Sequence, residues 1–212
     1  MNWRQAILTG AGVLTALVIS AGCGSGESAT EHSAAHGSTG STSAGAAPSS
    51  HDHNDADVTF AQHMIPHHRQ AVEMSDVVLA IEGIDPRVTE LATSIKAAQG
   101  PEITQMQGWL DQWGNPPMAP MTPSGGHNMS GMSGDTMGMM SDQQMTELKN
   151  AKGVEASRLF LTGMITHHEG AIAMAQNEIK DGRFPPAVEL ARTIVTTQQQ
   201  EINTMKGVLE TL

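Results

Sequence analysis

Two pairs of adjacent histidines stand in the same local sequence one hundred residues apart, Met64-Ile65-Pro66-His67-His68 and Met164-Ile165-Thr166-His167-His168. Imidazole nitrogen and thioether sulfur are metal donors. Thioether selects soft Cu(I), and imidazole serves both Cu(I) and Cu(II). The register extends outward from the histidines: Phe60 falls on Phe160, Ala71 on Ala171 and Met74 on Met174, always at an offset of 100. A second block repeats at an offset of 99, with Ile95 on Ile194, Gln99 on Gln198, Glu102 on Glu201, Ile103 on Ile202, Met106 on Met205 and Leu110 on Leu209.

These spacings are helical. At about 100° per residue, Phe60, Met64, His67, His68, Ala71 and Met74 fall within one face roughly 120° wide. Ile95, Gln99, Glu102, Ile103, Met106 and Leu110 share a face in the same way. An amphipathic helix buries such a face, so each half aims two imidazoles, thioethers, an amide and a carboxylate at the interior. Methionine at helical spacing is by itself ordinary core filler, and a lone buried histidine is commonly satisfied by a carboxylate such as Glu102 or Glu201. Four imidazoles in two matching pairs are harder to absorb, because each unsatisfied buried group costs roughly 1–3 kcal/mol. Metal binding by part of this set is the expectation. Copper is the expected ion, Cu(I) preferred and Cu(II) as the second state, since an exported compartment is oxidising and no thiolate is available in the repeats.

Residues 114–140 strengthen that expectation. They hold Met118, Met121, Met129, Met132, Met137, Met139, Met140 and His127 among Pro, Gly and Ser, a loop composition that would also collect soft ions. Di-iron bundles build their site from glutamates and Glu-x-x-His turns. No Glu-x-x-His occurs here, and Met stands three residues before both His67 and His167. No Ser or Cys nucleophile constellation and no phosphate-cradling glycine loop is visible, so an enzyme is not expected.

The elements that must position these residues are helices. The first is expected from about Asp57, as N-cap or first-turn acid, to Glu82 with Gly83 as its stop, bent by Pro66. The second runs from Pro86 to about Trp113, with a kink or break at Gly100-Pro101. The third runs from about Asp142 to Lys180, and the fourth from Pro186 to the C-terminus. Alternating β-branched runs are absent. Two helix pairs of one design, spanning about 57–113 and 142–212 and joined by a Met-rich linker over 114–141, make an all-α four-helix bundle with an approximate internal two-fold axis.

Ahead of the bundle, residues 1–22 read as an export signal: Arg4, an apolar run from Ala6 to Ile19, then Ser20-Ala21-Gly22. Cys23 is the single cysteine, which excludes an internal disulfide. Its place directly after the small residues resembles a bacterial lipobox, with Ser20 where that box prefers Leu. Cys23 is therefore the expected lipid anchor, on the outer face of a bacterial membrane. Residues 23–56, rich in Gly, Ser, Ala and Thr with scattered His32, His36, His51 and His53, read as a flexible tether. The formal net charge of −11 argues against nucleic acid as a partner. The expected partners are a metal ion, the membrane through the anchor, and a second copy of the chain or a copper-accepting protein.

Taken together, Phe60 to Met74 and Phe160 to Met174, each followed by Gln-x-x-Glu-Ile-x-x-Met at Gln99–Met106 and Gln198–Met205, resemble the doubled signature of the DUF305 family over about residues 57–212. The resemblance implies a ferritin-like four-helix bundle, usually exported, of which some members bind copper through Met and His. It implies Met64, His67, His68, Met164, His167 and His168 as ligands, with Met74, Met106, Met174 and Met205 as further donors. Ser157 stands where the first half has Asp57, and Gly100-Pro101 replaces Gln199-Gln200, so half-sites of unequal affinity are expected. Two other readings stay open: a metal-free bundle whose His–Glu pairs hold the core, and a redox enzyme on the ferritin-like fold.

Overall fold

Asn54, not Asp57, caps the first helix. Its side chain accepts the backbone N–H groups of Ala56 and Asp57, while Asp57 reaches back to the Asn54 N–H, a reciprocal capping box. The computed structural model describes residues 52–116 and 137–212. The expected signal, Cys23, the tether up to His51, and Met118, Met121, His127, Met129 and Met132 lie outside the described residues. Within them the elements are α1 (Asp55–Leu79), α2 (Pro86–Trp113), α3 (Asp142–Asn150), α4 (Gly153–Asp181) and α5 (Pro185–Leu209). The described residues begin ahead of the expected tether boundary at 56, and His53 stacks on Trp113 with ring centroids 4.5 Å apart.

The helix expected over 142–180 is two helices. Ala151 and Lys152 are extended and Gly153 takes a φ of 54°, a left-handed turn that glycine adopts without strain. The first helix ends at Leu79, ahead of Glu82. Neither internal proline ends its helix: α1 stays helical through Pro66 and α2 through Pro101. Pro101 and Ala97, whose carbonyl loses its N–H partner, both lie on the exposed side of α2, where water can satisfy that carbonyl.

α1 pairs with α2, α4 pairs with α5, and α1 and α4 meet across the centre. Burial follows the helical spacing read from the sequence: Phe60, Met64, His67, His68, Ala71 and Met74 are all buried, as are Phe160, Met164, His167, His168, Ala171 and Met174. Two apolar clusters result, and each mixes the halves. Met64 and Met106 share one with Met174, Trp109 and Phe184. Met74 shares the other with Met164, Met205, Ile95 and Phe160. Met64 lying with Met174, and Met74 with Met164, marks α1 and α4 as antiparallel neighbours crossing near the histidines. Fully burying each such side chain contributes about 1.5–3 kcal/mol.

The repeat also locks its own ends. Asp57, buried, accepts the Arg183 and Phe184 N–H groups at 3.0 and 2.9 Å, tying α1 to the start of α5. Its repeat mate Ser157 accepts the Asp85 N–H at 3.3 Å, tying α4 to the start of α2. The Asp57/Ser157 difference therefore lies at the helix ends, away from the histidines.

Candidate metal centre

All four histidines are fully buried. His67 from α1 and His167 from α4 face each other across the bundle, with ring centroids 3.7 Å apart and a 37° tilt. His68 and His168 turn instead to the partner helices of their own halves. His68 Nε2–H donates to Glu102 Oε2 at 2.8 Å, and His168 Nε2–H donates to Glu201 Oε2 at 2.7 Å. The carboxylates anticipated as histidine partners are thus in place, one per half.

Those bonds fix the chemistry of the rings. A carboxylate can only accept, so Nε2 of His68 and of His168 carries the proton of that bond, and in the neutral ring Nδ1 is then a lone-pair donor. His67 reaches the same state differently, donating Nε2–H to the Met137 carbonyl at 2.8 Å. The Nδ1 atoms of His67, His68 and His168, and both ring nitrogens of His167, are buried without a hydrogen-bond partner. Unpaired buried nitrogens at this density call for a ligand or a bound water. Carboxylate–histidine pairs with the far nitrogen free are the arrangement that orients metal-binding imidazoles. The donor set therefore fits a soft or borderline ion.

Protonation does not compete for the central pair. Burial, then the charge of His68, pushes His67 down to about 3, against the pull of the Met137 hydrogen bond. Burial, then the neighbouring imidazoles, holds His167 well below the ordinary histidine value. Both rings are neutral near pH 7. Among the described residues no group of three or more His, Cys, Asp or Glu converges to hold an ion.

Met64 and Met164 are fully buried and lie one turn ahead of their His pairs, on the same helix face. Met106, Met205 and Met74 are also fully buried, while Met174 retains 9% exposure. Met174 lines a cleft of about 250 Å³ with Phe60, His63 and Glu178. All ten expected residues are buried, the imidazoles where α1 and α4 meet and the thioethers divided between the two apolar clusters. Gln99 and Gln198 are buried there too, each with an unpartnered Oε1.

The model of DUF305, described as a domain of unknown function, matches residues 57–209. The chain belongs to that family. It is 37% identical to a DUF305 fragment from Deinococcus radiodurans over 75% of this chain and 98% of that one, with a TM-score of 0.66. A DUF305 protein from Streptomyces coelicolor is 33% identical over 73% of this chain and 91% of that one, at a TM-score of 0.63. CopM, solved with Cu(I), is 27% identical over 73% of this chain and 96% of that one, at 0.59; it has also been solved with Cu(II) and with Ag. No curated protein matches the chain. The all-α bundle of two repeated helix pairs, with short α3 between them, is the fold shared with these DUF305 structures.

Sequence reasoning overlooked three groups. Met137 enters through its carbonyl rather than its sulfur. Gln70 bonds both backbone groups of Met140. Glu178 is buried beside Asp57, and burial, followed by the neighbouring Asp57 carboxyl, pushes its own carboxyl up to about 8. The available signal was mismatch within the repeat, since Gln70 aligns with Gly170 and Val78 with Glu178.

Proposed function

We propose that this protein binds copper outside the cytoplasm, anchored to a membrane through Cys23, and sequesters the ion or hands it on. The observation that carries the proposal is the set of buried imidazoles facing one another with free nitrogens, two of them oriented by carboxylates. His67, His68, His167 and His168 supply nitrogen, and Met64 and Met164 supply sulfur. Met74, Met106, Met174 and Met205 extend the thioether path, with Met174 at the cleft as the point of entry. Softness favours Cu(I) over Cu(II). The Cu- and Ag-bound forms of CopM support a soft-ion centre in this fold.

Residues 1–22 act as the export signal, and residues from Cys23 up to the bundle as a lipidated tether. The small residues ahead of Cys23 support this, as does the Streptomyces relative described as a candidate secreted protein. No helix of the described residues is long and apolar enough to cross a membrane.

Titration of Cu(I) against a competing chromogenic chelator tests the proposal. Wild type outcompetes the chelator, and joint replacement of His67, His68, His167 and His168 by Ala abolishes that. Equal, weak binding by both proteins overturns it. One observation favours a second reading, a metal-free structural bundle: the Nε2 atoms of His67, His68 and His168 are already bonded within the protein. Under that reading copper leaves the melting temperature unchanged, whereas an ion bound only by the folded state raises it.

A further inference from the structure

The crossover that precedes α3 ends in four residues built into the bundle. Met137 and Met140 are buried. The Met137 carbonyl accepts the His67 Nε2–H. The Gln70 side chain clasps Met140 on both sides, its amide nitrogen donating to the Met140 carbonyl and its Oε1 accepting the Met140 N–H, both at 2.8 Å.

α4 is hollowed to receive this segment. A Cβ on Gly170 would lie 1.9 Å from the Met137 carbonyl oxygen, and one on Gly163 would lie 2.8 Å from the Met140 sulfur. Gly138 has a φ of 71°, and a Cβ there would lie 2.2 Å from the Thr166 carbonyl and 3.3 Å from His167 Cα. Real Cβ atoms essentially never come within 3.0 Å of another atom in this way, as the 1.9, 2.2 and 2.8 Å approaches would require. The two halves differ at just these positions: Gln70, the clasp, aligns with Gly170, the hollow, and His63 aligns with Gly163.

We propose that Met137–Met140 is a strap seated over the His67–His167 pair, held by Gln70 and admitted by Gly163 and Gly170, and that it retains a bound ion. This rests on the copper reading above. The strap also makes the halves unequal. It pins His67 as a donor through Nδ1 alone, while neither ring nitrogen of His167 has a partner. Gln70, Gly170 and the Met137 carbonyl act as positioning groups.

The test uses the full chain with Gly170→Ala and Gln70→Leu, and Gly108→Ala as the control, because a Cβ at Gly108 meets nothing within 4 Å. Alanine is the better helix former, so Gly170→Ala removes the strap's seat without weakening α4 itself. Hydrogen exchange of the Met140 amide in the metal-free protein reports docking, and transfer of Cu(I) to a chromogenic chelator reports retention. The expected result is a Met140 amide protected in wild type and control, deprotected in both variants, with Cu(I) released at least ten-fold faster by both. Release within two-fold of wild type despite deprotection overturns the strap's role, and an unprotected amide in wild type overturns its docking. Failure of wild type to bind Cu(I) overturns the copper reading itself, and retention with it.

Discussion

Glu178→Gln should make the metal-free protein more stable at alkaline pH while changing little in acid. Glu178 is 1% exposed, and burial, followed by Asp57, raises its carboxyl from 4.5 to about 8. The folded protein therefore holds a proton that the unfolded chain releases above about 4.5. The stabilisation is fully present below the unfolded value and is lost as pH rises through about 8. At about 1.36 kcal/mol per pH unit, the window is worth on the order of 3–5 kcal/mol. Glutamine keeps the shape without the ionisation, so the variant should not lose this contribution. The two proteins share the same buried histidines, whose contributions cancel in the comparison. Thermal melts at pH 5, 7 and 9 should show the variant's advantage growing to roughly 10 °C at the alkaline end, at about 2–4 °C per kcal/mol. Parallel pH profiles for the two proteins would refute the reasoning.

Asp57→Ala strips an acceptor from the Asn54, Arg183 and Phe184 N–H groups and should cost about 2–4 kcal/mol. Ser157→Ala loses only the single bond from Asp85 and should cost about 1 kcal/mol; urea melts that rank the two the other way contradict the end-locking account. Glu102→Gln and Glu201→Gln should each weaken copper binding about ten- to a hundred-fold, with helix content by circular dichroism unchanged. Unaltered affinity in both would mean that the carboxylates do not orient the ligands.

The bundle was legible because burial in it is periodic and doubled. His67, His68, Met64 and Glu102 each have a counterpart in the second half; helical phasing places the first three in the interior, and the part-buried Glu102 at its edge against His68. Local grammar did less well where the third dimension decides. Gly153 divides α3 from α4, although Met145 and Leu148 continue an apolar pattern up to it. Of the kink or break expected at Gly100-Pro101, the break does not occur: α2 stays helical through Pro101, whose unpaired carbonyl neighbour faces solvent. Met137–Met140 read as part of a low-complexity loop, since a carbonyl that bonds an imidazole seventy residues away leaves no local trace. The departures from the repeat at Gln70/Gly170 and Val78/Glu178 were visible, but their meaning needed the strap and Asp57 beside them.

Copper K-edge X-ray absorption of the Cu(I)-loaded protein addresses the central claim most directly, because it reads the donor atoms themselves. The account predicts a mixed shell of imidazole nitrogen and thioether sulfur, with the imidazole scattering lost when all four histidines are replaced. A shell of oxygen donors, or imidazole scattering that survives the quadruple replacement, would contradict it.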